Sequence, residues 1–232
     1  MKNFLFALLA YIVGVGSMAA FFWYVQFGMD QTAPVFSVKS LLMDCCLFAL
    51  FPVQHSLLAR RKWKDRISNL IGRNLERSCY VLTSGIVMFV VLIGWRPFGP
   101  YLYRFENAVV FDVVFYLALI LIILSTIALD HAAMFGLKQG YAAWKRFDVP
   151  GKDLQTDGLY GIVRHPITSL LLVGLWSHRS LSGSRLLFNI LFSAYAVAGT
   201  WFEEHDLIRT FGERYQAYRK KVPAFIPKLH FK

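Results

Sequence analysis

Residues 109–129 read VVFDVVFYLALILIILSTIAL, with a single charge, Asp112, near the start. At about 1.5 Å of rise per residue, a helix of this length covers about 30 Å, the thickness of a bilayer's hydrocarbon. The run is therefore expected to be a transmembrane helix. Working outward, residues 78–95, 38–58 and 4–27 are three more long apolar runs, and Arg96-Pro97 stops the one at 78–95. Of the 232 residues 56% are hydrophobic, and mean hydropathy is +0.47. Those values are too high for an ordinary soluble domain, and the apolar residues are clustered. No alternation of strand-like and helix-like segments is present, which argues against a soluble α/β cofactor fold. The fold class that follows is an all-α integral membrane protein.

Two further segments lie downstream. Residues 166–176 are apolar but reach only about 16 Å as a helix, short of the roughly 30 Å needed. Residues 186–202 are longer, and a Ser-, His- and Gly-containing turn joins the two into a helical hairpin. The expectation is a bundle of about six membrane helical segments, the last two forming the hairpin. Lys2, residues 59–77, residues 138–164 and the tail from Arg209 onward hold most of the Lys and Arg. By the positive-inside rule both termini are cytoplasmic. Met1-Lys2 and the following apolar run resemble a signal peptide, but the run is too long for one and is expected to be retained. The whole of 1–232 is expected to be one polytopic domain, with a four-span part over 1–131 and a second part over 132–232.

The net charge is +11. Because the basic residues lie between apolar runs, the expected partner is anionic membrane lipid and not nucleic acid. Cys45 and Cys46 are adjacent within one span and Cys79 begins another, a spacing that suits neither a disulfide framework nor a metal. The same holds for the rest of the chain: no phosphate loop, zinc spacing or nucleophile elbow is present. Residues 132–157 interleave Lys138, Lys145 and Arg146 with Tyr141, Trp144 and Phe147, the pattern of an interfacial helix, and a Pro150-Gly151 turn follows. Asp44 within the second run is expected to point inward near the interface.

One short stretch carries the most chemistry, Gly158-Leu159-Tyr160-Gly161-Ile162-Val163-Arg164-His165-Pro166. Proline is favoured in the first turn of a helix, so Pro166 is expected to start one running to Trp176. The N–H groups exposed there suit an anionic group. Arg164-His165 precede the fifth segment, His131 follows the fourth and Glu203-Glu204 follow the sixth. In a single bundle all three groups lie at the cytoplasmic ends. Two adjacent acids in the interface are unfavourable unless paired or used. A salt-bridge rim and a ligand site both satisfy this pattern.

Gly158-x-Tyr160-x-x-x-Arg164-His165-Pro166, then Glu203-Glu204-x-x-Leu207, then Phe211-Gly212-x-x-Tyr215-x-x-Tyr218-x-x-x-Val222-Pro223 resembles the C-terminal half of the isoprenylcysteine carboxyl methyltransferase superfamily. Pro52-Val53-Gln54-His55-Ser56-Leu57-Leu58-Ala59-Arg60, Glu76-Arg77-Ser78-x-Tyr80-Val81-Leu82 and Phe135-Gly136-Leu137-Lys138-Gln139 resemble its methanethiol S-methyltransferase and NnrU-like branch, to which nurim is related. The resemblance implies S-adenosylmethionine as methyl donor and a bacterial inner membrane, with the donor site facing the cytoplasm. It implies methanethiol or a similar small apolar thiol as acceptor, entering from the bilayer. A lipid carboxylate, a lipid amine or another apolar acceptor is the alternative, as is a non-catalytic scaffold like nurim. Carried over by position, Tyr160, Arg164, His165, Pro166, Glu203, Glu204, Tyr215, Tyr218 and Gln139 belong to the donor site, and His55 to the acceptor pocket. His131, His165 and Glu203 are the catalytic candidates for accepting the thiol proton. Three places depart from the family: Thr168 stands where a Tyr is usual, Leu170 where a Gly is usual, and Ser177-His178-Arg179-Ser180 where a turn usually contains Ala-Thr-Pro.

Overall fold

The computed structural model describes residues 1–29, 35–107, 109–151 and 153–228. The sequence also leads one to expect a polar turn over 28–37, and its residues 30–34 lie outside the described ones. Among the described residues, five helices are long and apolar enough to cross a membrane: Lys2–Gly28, Val38–Ala59, Arg73–Gly94, Val109–Ala128 and Gly183–Phe211. Pro166–Trp176 is a shorter apolar helix. The chain is an all-α multi-span membrane protein, as its apolar runs require. Large apolar side chains such as Ile93, Val110 and Leu117 stand exposed on these helices, where lipid and not water is the solvent.

The chain forms two compact units from interleaved segments. The first comprises Met1–Leu102, Asp130–Gly151 and Ser182–Arg185. It contains α1 (Lys2–Trp23), a wide turn over Tyr24–Gly28, α2 (Val38–Ala59), α3 (Arg61–Ile71) and α4 (Arg73–Gly94). After β1 (Tyr101–Arg104) and α5 (Val109–Ala128), the chain returns to this unit as α6 (His131–Met134) and α7 (Leu137–Lys145). Helix α1 packs on α4 and α7. A Cβ added at Gly14 would run into Val81, and one at Gly140 into Ala7. Glycine is what allows these helices to approach, a packing mode common in membranes.

Several polar groups buried in this unit find partners far along the chain. Asp44 is fully buried and accepts the Arg96 N–H at 2.9 Å. Arg185 is fully buried, and its Nη1 donates at 2.7 Å to the Val25 carbonyl in the wide turn. Trp95 Nε1 donates to Ser184 Oγ at 2.9 Å. The helix expected over 132–157 is broken in two at Phe135-Gly136, because Gly136 adopts φ +82. A Cβ there would sit 2.8 Å from the Ser78 backbone nitrogen. Gly136→Ala is therefore expected to lower stability by about 1–3 kcal/mol. Thermal unfolding in detergent checks this, and an unchanged midpoint would refute it.

The second unit comprises Tyr103–Leu129, Lys152–Leu181 and Leu186–Lys232. It holds α5, α8 (Leu159–Ile162), α9 (Pro166–Trp176), most of α10 (Gly183–Phe211) and α11 (Glu213–Lys221), with β2 (Ser180–Ser182) before α10. Pro166 is the first residue of α9 and His165 its cap, as the Arg-His-Pro step predicts. Helix α9 packs along α5, where Gly174 lies against Phe115. Asn189 Nδ2 donates to the Leu175 carbonyl at 2.7 Å and ties α10 to the end of α9. Helix α10 is longer than the expected 186–202, at 29 residues. Nothing between Glu203 and Thr210 breaks a helix, so it runs past the apolar stretch. Gly212, at φ +57, separates it from α11. Glu203 and Glu204 consequently sit on α10 and not in a loop after it.

Candidate active site

The candidate site lies in the second unit and is built around Glu204. One turn of α10 places Thr200, Trp201, Glu203 and Glu204 together. Of the two acids, Glu204 is buried, whereas the Glu203 side chain is 61% exposed. Oε1 of Glu204 accepts from Arg164 Nε at 2.9 Å and Nη2 at 2.5 Å. It also lies 3.2 Å from His165 Nε2 and accepts the Tyr215 hydroxyl at 3.3 Å. Arg219 Nε stands 3.4 Å from Oε2. A carboxylate so surrounded by donors is fixed in position.

The same Arg164 fastens the chain that follows α11. Its Nη1 donates to the carbonyls of Val222 (2.5 Å) and Arg219 (3.3 Å). The backbone N–H groups of Arg164 and His165 donate to Pro223 (2.8 Å) and Ala224 (3.1 Å). Ser169 Oγ contacts the Phe225 carbonyl at 2.9 Å. Residues 222–225 thus form a strap bonded across the Arg-His-Pro step. The bond between Glu204 and His165 Nε2 places the ring hydrogen on Nε2 when the imidazole is neutral. That leaves Nδ1 with its lone pair, 3.7 Å from Glu203 Oε2.

Tyr218 donates to the Tyr160 carbonyl at 2.5 Å, and Tyr160 to the Ser125 carbonyl at 3.3 Å. Burial pushes the Tyr215 phenol up to about 12, reinforced by the Glu204 charge. Burial also raises Tyr218 to about 12, against the opposing pull of Arg164. Tyr160 is raised as well, by burial first and then by Glu203. All three phenols therefore remain neutral hydrogen-bond donors at neutral pH. At the margin, the Leu154 N–H and then Arg214 hold the exposed Asp153 below its ordinary value.

A groove of about 890 Å³ runs along α9 and α10 to this cluster. Its walls include Trp176, Ala194, Ala198, Trp201 and Phe225, and Glu204 lies among the lining residues. Thr168 hydrogen-bonds Thr200 at 3.1 Å, so the position where the family has Tyr is tied to α10 here. Leu170 is half-buried and does not line the groove.

The structure thus brings together Tyr160, Arg164, His165, Pro166, Glu203, Glu204, Tyr215 and Tyr218. The other three candidates belong to the first unit. His131 packs against Tyr11 and Phe135. Gln139 Nε2 donates to the Ala133 carbonyl at 3.0 Å. His55 lies between the Tyr80 hydroxyl, 2.5 Å from Nε2, and Ser84 Oγ, 3.2 Å from Nδ1. Sequence reasoning missed the strap carbonyls and Arg219. Val222-Pro223 closed a motif and could have pointed to the strap, whereas Ala224 and Phe225 carry no signal, because their backbone does the bonding.

Comparison with known proteins gives this arrangement a family. The chain is 32% identical to methanethiol S-methyltransferase 2 of Bradyrhizobium diazoefficiens over 203 residues, 87% of this chain and 78% of that one. It is 33% identical to methanethiol S-methyltransferase of Pseudomonas deceptionensis over 193 residues, 82% and 74% of the two chains. The chain belongs to the methanethiol S-methyltransferase family. Nurim of Rattus norvegicus is also similar, 32% identical over 184 residues, 73% of this chain and 69% of that one. No family profile and no solved structure matches the chain. The methyltransferase family matches span most of the chain, so membership does not rest on the Arg-His-Pro step alone.

Proposed function

We propose that this protein transfers a methyl group from S-adenosylmethionine to methanethiol, at the second unit's cluster, on the cytoplasmic side of a bacterial inner membrane. The observation that carries the reading is the groove ending at Glu204 and its partners, in a chain one-third identical to enzymes named for that thiol. A groove of about 890 Å³ falls within the usual range of ligand sites, roughly 300–1,000 Å³. That is far more than a thiol with two heavy atoms needs, so the remaining space suits a nucleoside-sized donor. Trp201 and Phe225 offer flat faces for a base. Beside the groove's Glu204 end, outside its lining, Glu203 offers an exposed carboxylate for an ammonium or hydroxyls, and Arg219 a half-exposed guanidinium for a carboxylate. The residues present fit the donor.

Arg164 and Glu204 take a different part from the one the resemblance assigns. Arg164 and the Oε1 atom of Glu204 are bonded to one another, to His165, to Tyr215 and to the strap. They fix the site's shape, and Glu203, Arg219, Trp201 and Phe225 hold the donor. When bound, the donor supplies a methyl group already activated on a sulfonium, which leaves alignment as the protein's main task. The thiol must lose its proton to attack well. His165 Nδ1 is the atom that accepts it, while Glu204 fixes the ring's tautomer and stabilises the resulting cation, a base held by an orienting acid. The apolar groove walls exclude water from the reacting atoms.

Purified protein supplied with methyl-labelled donor and a panel of thiols, lipid carboxylates and amines tests this. Label should appear in the methylated thiol, and transfer to none of the thiols would refute the acceptor. Glu203→Gln is expected to weaken binding of donor or S-adenosylhomocysteine about 10- to 100-fold, the loss of one charge-assisted bond. The thermal midpoint should barely move, because the side chain is largely exposed. Parent-like affinity by calorimetry would remove Glu203 from the donor site. A second reading is a non-catalytic, nurim-like scaffold. The bonding of Arg164 to Glu204 Oε1 and to the strap favours it, since these atoms already have partners within the protein. Failure of the well-folded parent to bind either S-adenosyl compound would decide for it.

A further inference from the structure

The most basic segment of the chain is not absorbed by this function. Residues 59–77 hold Arg60, Arg61, Lys62, Lys64, Arg66, Arg73 and Arg77 against Asp65 and Glu76. The structure folds Arg61–Ile71 into α3, and no residue of that helix is buried. Trp63, Ile67, Leu70 and Ile71 recur at helical spacing and fall on one face. Leu70 is 83% exposed. Lys64 flanks one side of that face. Lys62 and Arg66 flank the other, and the Arg66 guanidinium lies 5.1 Å from the Trp63 ring centre. Arg61, Lys62, Lys64 and Arg73 take part in no ion pair among the described residues. One residue separates α3 from each neighbour, Arg60 before it and Gly72 after it. Those neighbours, α2 and α4, are both long enough to span the membrane.

We propose that α3 is a lipid-binding helix. It lies in the plane of the membrane surface, with Trp63, Ile67, Leu70 and Ile71 in the acyl boundary and its basic residues on anionic phospholipid headgroups. Two spanning helices joined to it by single residues hold it at the interface. Its apolar face therefore meets lipid, and long basic side chains at the flanks reach back to the headgroups. Each such charge near an anionic surface adds its own attraction, and five lie on or next to this one helix. The proposal rests on no step of methyl transfer, so it stands or falls independently of the enzymatic reading.

The test uses the full chain in lipid nanodiscs, with Cys45, Cys46 and Cys79 replaced by Ser. Spin labels are placed at Leu70→Cys and at Arg61→Cys, in phosphatidylcholine discs with half the lipid replaced by phosphatidylglycerol. The label at position 70 should be reached by oxygen and shielded from a water-soluble nickel chelate, and the label at 61 should show the reverse. A label at 70 open to the chelate would overturn the proposal. So would one shielded from both agents, the signature of a second copy covering this face. In the second arm, Arg61, Lys62, Lys64 and Arg66 are all changed to Gln. Native mass spectrometry should show retained phosphatidylglycerol falling about tenfold or more. Unchanged retention, or an equal fall in phosphatidylcholine, would overturn the anionic selectivity.

Discussion

Arg164→Ala is expected to lower the stability of the second unit by about 3–5 kcal/mol and to abolish donor binding. The side chains of Arg164 and Glu204 are only 8% and 10% exposed. Removing the guanidinium leaves a buried carboxylate without its main partner, a far larger loss than breaking a surface pair. It also removes the Nη1 bonds that hold residues 222–225. Arg164→Lys should recover only part of the loss, because an ammonium cannot serve two carboxylate-facing bonds and two carbonyls at once. Thermal unfolding and limited proteolysis after Tyr218 read the effect. A parent-like midpoint with the C-terminal chain still protected would show that the clamp is not what holds the strap.

His165→Gln is expected to reduce kcat/KM for the thiol about 10²- to 10⁴-fold, the usual range for a lost general base. Gln keeps a donor for Glu204 but offers no basic nitrogen. Donor affinity by calorimetry should stay near the parent's. The deficit should narrow as pH rises through the thiol's own ionisation, because thiolate then forms without help. A merely structural role would instead give a deficit constant with pH. That result, or a loss below tenfold, would remove His165 from the role and leave His131 and Glu203 as the candidates.

How much was legible in the sequence follows from what kind of bond each feature uses. The spans were legible because bilayer thickness fixes length and apolarity together, and Val109–Ala128 follows the run at 109–129 within a residue. Pro166 announced α9 because proline's missing N–H matters least at that position. The end of α10 was not legible. Hydropathy falls at Glu203, but helix propensity does not, and the helix continues to Phe211. The division of labour between the two acids was hidden too. Adjacent residues on a helix point about 100° apart, so one faces Arg164 and the other solvent, and no composition signal says which. The strap was least visible of all, since its contacts run through backbone carbonyls.

The bond from Arg185 to the Val25 carbonyl has a consequence for how the protein is made. The first unit includes Ser182–Arg185, so the Val25 carbonyl in the wide turn after α1 waits for a side chain 160 residues downstream. Translation and insertion of nearly all the spans must precede that closure. Such a long-range pairing is slow to form, and the nascent chain carries an open polar seam in the interval. The early helices therefore reach their final packing only after release of the later ones from the insertion machinery, which makes maturation of this unit a late, cooperative event.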